Sequence, residues 1–221
     1  GDIRVDEIVL MDNDREKLRT YGEISRELAR RLDPQLKFWV TDDAEAALRD
    51  VDYIITTIRA GGDAGRLFDE KTCLAHGVLG QETTGAGGFA MALRSVPTLV
   101  YYCTLARKVA HPGHLIFNFT NPSGIITQAL RSRGFDNVYG ICDAPSGFIK
   151  QLEEILEIPY GTLDIECYGL NHLSWFRNAR LHGRDVQREL LDNPRTYQHS
   201  EMRLFTREMA RLSGECMLNE Y

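Results

Sequence analysis

The sequence predicts an α/β protein built on a doubly wound, Rossmann-type parallel sheet. Short β-branched runs alternate with segments of helical period, the runs end in polar residues, and the connections between them are short. "VDEIVLMD" reads as a strand that stops at Asp12, and "DREKLRTYGEISRELARRL" follows as a helix carrying Leu18, Tyr21, Ile24, Leu28 and Leu32 at helical spacing. "KFWVT" gives the next strand, "DDAEAALRD" a short helix with an Asp N-cap, and "VDYIITTI" a nearly continuous apolar strand of the kind buried in parallel sheets. After "RAGG" comes a loop region, then the helical stretch "GGFAMALRSVPTLVYYCTLARKVA". "HLIFNFTNPSG", "SGIITQALRSRG" and "NVYGICDAP" supply strand, helix and strand. From "GTLDIECYGLNHLSWFRNARLHGRDV" the period shifts toward alternation, with turn glycines at Gly161, Gly169 and Gly183. This predicts an antiparallel sheet that starts an α+β second domain, with the boundary near Pro145 (1–145 and 146–221). The tail "EMRLFTREMARLSGECMLNEY" reads as an amphipathic helix.

Composition narrows the class of function. At 221 residues, 43% hydrophobic and 26% charged, the chain can bury one full core and part of a second. A net charge of −6 without any Lys/Arg block argues against nucleic-acid or membrane-surface binding and favours a small ligand. The five cysteines are scattered and form no CxxC pair, so neither a disulfide framework nor a structural zinc site is signalled. No apolar stretch is long enough for a membrane span and the start lacks the pattern of a signal peptide, so a cytoplasmic location is expected.

Polar residues gather at the strand ends, which marks one crevice: Asp12, "IRAGG", "NFTNP" and "CDAP". Asp12 fits the carboxylate that would accept hydrogen bonds from an adenosine ribose, and it fits a helix N-cap equally well. A dinucleotide fold should open with a strand and a GxGxxG-like turn, yet this chain begins at what would be the second strand. The "GAGG" at Gly85 to Gly88 reads better as a glycine cluster at a helix start. In "GLNHLSWF" an asparagine and a histidine interrupt an apolar run. A lone histidine there is more often a hydrogen-bonded core residue than a ligand.

Four blocks, "GVLGQETTGAGGFAMALRSVP", "FNFTNPSGIITQAL", "GICDAP" and "GLNHLSW", in this order and at these separations, resemble the NAD- and divalent-metal-dependent glycosidases of glycoside hydrolase family 4. Within it the chain is most similar to the 6-phospho-glucosidase branch. The similarity runs from Val5 to Tyr221 and covers roughly the middle half of a family member, so the first strand with its glycine-rich turn and the carboxyl-terminal half lie outside it.

The resemblance implies a glycosidase that works by oxidation of the sugar at C3 with NAD, loss of the C2 proton to a base, elimination of the C1 oxygen and addition of water. It implies that Cys142 and His172 hold a divalent metal. Thiolate alone would suit zinc, and the expectation of Mn²⁺ comes from the family. Asp143 matches the leaving-group acid of α-specific members, whereas β-specific ones more often carry Asn; the rest of the chain looks closer to the β branch. Asn121 and Asn171 match positions that hydrogen-bond the sugar or the nicotinamide end, and a turn role competes at Asn121. Glu82 matches a substrate-contacting carboxylate. Arg66 falls where a guanidinium meets the sugar phosphate. Arg59 and Gly61 line the cofactor crevice, and Tyr221 matches the start of the segment that supplies a tyrosine base. The implied ligand is a phosphorylated glucoside or disaccharide, and the implied assembly a homodimer or tetramer. Two other readings stand beside this one: a malate/lactate-type 2-hydroxyacid dehydrogenase, whose His/Asp relay is not visible, and an NAD-binding domain without turnover.

Overall fold

A computed structural model describes residues 4–200, 202 and 207–219. Its elements follow the alternating order expected: β1 Glu7–Met11, α1 Arg15–Leu32, β2 Lys37–Thr41, α2 Ala44–Leu48, β3 Tyr53–Thr56, α3 Gly62–Ala75, α4 Gly85–Val109, β4 Leu115–Asn118, α5 Ser123–Arg131 and β5 Val138–Gly140. α6 Ala144–Leu156 then leads into β6 Leu163–Leu170, β7 Leu173–Leu181, β8 Arg184–Asp185, α7 Gln187–Asp192, a 3₁₀ turn Pro194–Tyr197, α8 Arg207–Ser213 and β9 Cys216–Asn219.

The fold is α/β and Rossmann-like. β1 pairs with β2 in parallel, and β3, β4 and β5 form a second parallel set in that order. No ladder joins β1 to β3 among the described residues. Aspartates start the first two helices: Asp14 accepts from the amides of Glu16 and Lys17, and Asp43 from those of Glu45 and Ala46. The N-cap of α1 is therefore Asp14, while Asp12 accepts the Asp14 amide at 2.8 Å.

β6 and β7 form an antiparallel hairpin, and β8 and β9 extend its sheet along β7. Two apolar clusters organise the chain. One joins α4, α5, β4 and β5 through Leu99, Ile116, Ile126, Leu130 and Val138; the other joins α6, β7 and α7 through Phe148, Leu152, Phe176 and Leu190. Phe148 and Phe176 meet with ring centroids 4.8 Å apart.

Three expectations need correcting, and α1 packs by a face that its spacing does not specify. Among its described residues the tail is α-helical over Arg207–Ser213, whereas Cys216–Asn219 pairs with β7, whose edge offers unsatisfied backbone groups to a strand. The loop region after "RAGG" contains the 14-residue helix α3, which its glycine-rich first turn hides from a reading based on propensity. α1 does not seat on its large apolar stripe: Leu18 is buried, but Tyr21, Ile24, Leu28 and Leu32 are each more than half exposed. It sits instead on Leu18, Gly22 and Ala29, with Gly22 so close to β2 that a β-carbon would come within 2.9 Å of Val40. Finally, β3 is not buried on both faces. Ile116, Asn118 and Val138 face the helices, whereas Tyr53, Ile55 and Tyr139 are exposed on the other face, where Tyr53, Phe117 and Tyr139 line up across the three strands.

Candidate active site

Cys142 lies two residues beyond β5, where the chain turns into α6. His172 comes from the tip of the β6–β7 hairpin. Leu170 pairs with Leu173, so Asn171 and His172 form a two-residue turn. His172 takes φ 64, the left-handed region that a non-glycine residue seldom occupies, and it is 6% exposed. Such a backbone persists only where its surroundings over-determine it, which is common at ligand-holding positions. The turn brings Nε2 of His172 to 3.9 Å from Sγ of Cys142.

The donor set fits a divalent ion. Two ligand atoms held at roughly 2.1–2.3 Å from one ion stand about 3–4 Å apart, which matches the observed separation. Beside them, the buried Oδ1 of Asn171 has no hydrogen-bond partner, and a buried oxygen left unpaired is costly unless a ligand meets it. Among the described residues no three His, Cys, Asp or Glu side chains gather to hold an ion. Cys142 and His172 are thus the candidate donor pair, with the unpaired Asn171 oxygen on the adjoining residue. Cys142 and Asn171 line a cavity of about 780 Å³ with Ser123, Thr127 and Gly140. Burial pushes the thiols of Cys103 and Cys216 up to about 11 and about 12, so both stay protonated at neutral pH, whereas Cys142 is only partly buried.

Asp143 is exposed at the N-cap of α6 and makes no capping bond with its side chain, which leaves the carboxyl group available next to Cys142. The loop after β4 is held by Asn118, which is fully buried. Its side chain accepts from Thr56 Oγ1 (2.9 Å) and donates to the Thr120 carbonyl (3.2 Å) and Thr127 Oγ1 (3.3 Å). That network fixes the stretch from which Asn121 emerges.

A second group of predicted residues meets between α3 and the start of α4. Glu82 accepts from Arg59 (2.8 Å) and also pairs with Arg66 (3.1 Å), while Arg66 reaches Glu70 (2.7 Å). Close packing explains why glycines open α4. A β-carbon at Gly87 would lie 2.2 Å from the Gln81 carbonyl, and one at Gly88 2.6 Å from Thr83, so "GAGG" is the seat of the Glu82 loop at a helix start. Gly61, at φ 87, is the N-cap of α3. Asp12 stands at the end of β1 with one oxygen on the Asp14 amide. Tyr221 lies outside the described residues.

Sequence reasoning missed Asp69, Arg94 and Asn118. Arg94 had a visible signal, a lone cation within the otherwise apolar stretch "FAMALRSVPTLVYYC", since arginine is seldom buried there without a partner.

Fold and site together define a Rossmann-like α/β protein in which a thiol and an imidazole meet just beyond the carboxyl end of β5. Residues 2–158 match the model of the family 4 glycosyl hydrolases, and the chain belongs to that family. It is 36% identical over 193 residues to the 6-phospho-beta-glucosidase BglT of Thermotoga maritima, covering 87% of this chain and 45% of that one. The structure of the 6-phospho-beta glucosidase from Thermotoga maritima with manganese, NAD⁺ and glucose-6-phosphate superposes with a TM-score of 0.87 at 32% identity, over 98% of this chain and 51% of that one. A 6-phospho-alpha-glucosidase from gut microorganisms, in complex with NAD and Mn²⁺, gives 0.84 at 30% identity over 96% and 52%. The chain spans about half the length of the relatives it matches.

Proposed function

We propose that the protein is an NAD- and divalent-metal-dependent glycosidase acting on 6-phospho-glucosides, with the β-anomer favoured and Asp143 keeping the α-anomer open. The observation that carries this reading is the approach of Cys142 Sγ to His172 Nε2 at 3.9 Å, beside an unpaired Asn171 oxygen.

In this reading Cys142 and His172 hold the metal, preferentially Mn²⁺, and Asp12, Arg59 and Gly61 line the NAD crevice. When bound, NAD would supply a hydride acceptor and the metal a Lewis acid for sugar oxygens. Asp143 donates a proton to the departing glycosidic oxygen. Asn171 and Asn121 orient the sugar through hydrogen bonds, and Tyr221 acts as the base. Arg66 receives the phosphate, because a guanidinium matches a dianion in shape and charge. Glu82, 10% exposed at its side chain, contributes to substrate contact while holding Arg59 and Arg66.

The division near Pro145 separates a dinucleotide-binding part from the start of a substrate- and metal-binding part, in keeping with the two apolar clusters. We further propose a cytoplasmic homodimer or tetramer. Five free cysteines fit a reducing compartment, and no helix among the described residues is long and apolar enough to cross a membrane.

The test is hydrolysis of p-nitrophenyl α- and β-glucoside 6-phosphates by the full-length protein, with NAD⁺ and Mn²⁺ each supplied or withheld. Nitrophenol is expected only when both are present, and faster from the β-anomer. Release that persists in the absence of NAD⁺ would refute the oxidative mechanism.

A further inference from the structure

Arg94 is the strongest feature that the preceding assignments leave unused. It projects from α4 into the angle between α3 and the loop after β3. Nη1 donates to Asp69 at 3.0 Å and Nη2 to the other oxygen of the same carboxylate, Nε donates to the Ala60 carbonyl at 3.2 Å, and Nη2 also lies 3.5 Å from the sulfur of Met91. Asp69 is 7% exposed, so loss of Arg94 would leave a buried carboxylate without its ion-pair partner. Two glycines make room for the guanidinium. A β-carbon at Gly61 would lie 3.0 Å from Nε, and one at Gly65 3.4 Å from it. One planar cation thus ties together the loop after β3, the first turn of α3 and its second turn.

The two anchored points adjoin the arginines of the Glu82 cluster. Ala60 is the residue after Arg59, and Asp69 stands three residues beyond Arg66, one position along the same face of α3. We propose that Arg94 is a positioning residue for phosphate recognition: without touching the substrate, it fixes the loop that carries Arg59 and the helix that carries Arg66. The proposal rests on the reading of Arg66 as the phosphate-binding arginine. Bidentate recognition of a phosphate depends on orientation, and displacement of its donors by about an ångström is felt in binding. Lysine cannot replace Arg94, since a single ammonium cannot grip both Asp69 oxygens and the Ala60 carbonyl in one plane.

The experiment uses the full-length enzyme with NAD⁺ and Mn²⁺ and compares Arg94→Lys, Arg66→Ala and the double variant on p-nitrophenyl glucoside 6-phosphate. Arg94→Lys should raise KM about tenfold with kcat within about twofold. The double variant should be no worse than Arg66→Ala alone, because both changes act through one contact. Amide hydrogen exchange over residues 59–66 should quicken in Arg94→Lys. Should Arg94→Lys fold poorly, Asp69→Asn keeps the shape, weakens the same grip and is expected to give the same split between KM and kcat. KM penalties that multiply in the double variant, or exchange over 59–66 that stays at the parental rate, would overturn the proposal. If Arg66→Ala leaves KM unchanged, the phosphate reading of Arg66 is what fails. If Arg66→Ala raises KM and Arg94→Lys does not, only the positioning role falls.

Discussion

Replacing His172 by alanine in the full-length protein is expected to abolish Mn²⁺-dependent nitrophenol release. Loss of an outer-shell partner of a metal ligand costs about 10–100-fold, and loss of the ligand itself should exceed that range. The backbone complicates a simple truncation. At φ 64 the backbone is strained for any residue with a β-carbon, histidine included, and asparagine tolerates this left-handed region better than alanine. His172→Asn is therefore the sharper variant, because it preserves the turn and removes the imidazole. Both variants should melt near the parental temperature in the absence of metal and lose the stabilisation that added Mn²⁺ gives the parent. Parental activity and metal dependence in His172→Asn would rule out the ligand assignment. Cys142→Ser should fall in the same direction, since a hydroxyl at neutral pH is a much poorer ligand than a thiolate.

The largest effect on stability is expected at Phe176. Its ring is fully buried, packs on Phe148 at 4.8 Å and sits on β7 four residues after His172. Truncation to alanine removes the contact and leaves a cavity, at a cost of about 3–5 kcal/mol. The melting temperature should drop by roughly 10 °C, with Phe176→Leu costing less than about 1.5 kcal/mol by keeping most of the volume. A drop of only a degree or two in Phe176→Ala would show that the α6–β7–α7 cluster relaxes into the space. Because β7 carries one side of the hairpin that presents His172, the same substitution should also weaken metal binding.

Much of this architecture was legible because the signals are local. A β-branched run ending at Asp12, aspartate caps before α1 and α2, and the alternation through "CYGLNHLSW" each act within a few residues. The candidate metal pair was legible for a different reason: Cys142 and His172 sit in short motifs whose order and separation match a family, although neither residue alone would outweigh a structural role. What escaped depends on distant partners. α3 is hidden because Gly62 and Gly65 weaken local propensity, whereas the fold uses Gly62 for its positive φ of 59 and Gly65 for close packing against Arg94. β9 was read as helix because a strand at an edge owes its conformation to the neighbour it pairs with. Helical spacing of the large apolar residues of α1 identifies a helix but not its packed face, and the small face at Gly22 and Ala29 decides how closely the helix approaches β2.

The separate origins of Cys142 and His172 carry one more consequence. The cysteine leaves a strand rooted in the α4–α5 cluster, and the histidine crowns a hairpin rooted in the α6–α7 cluster. An ion shared by the two would act as a rivet through two plates, so that pulling the layers apart requires breaking a coordination bond. At a free ion concentration a hundred times the Kd, such linkage adds about 2.7 kcal/mol to the assembled state. The bonds that present a Lewis acid to the sugar would thereby also set how firmly the two halves of the molecule stay together.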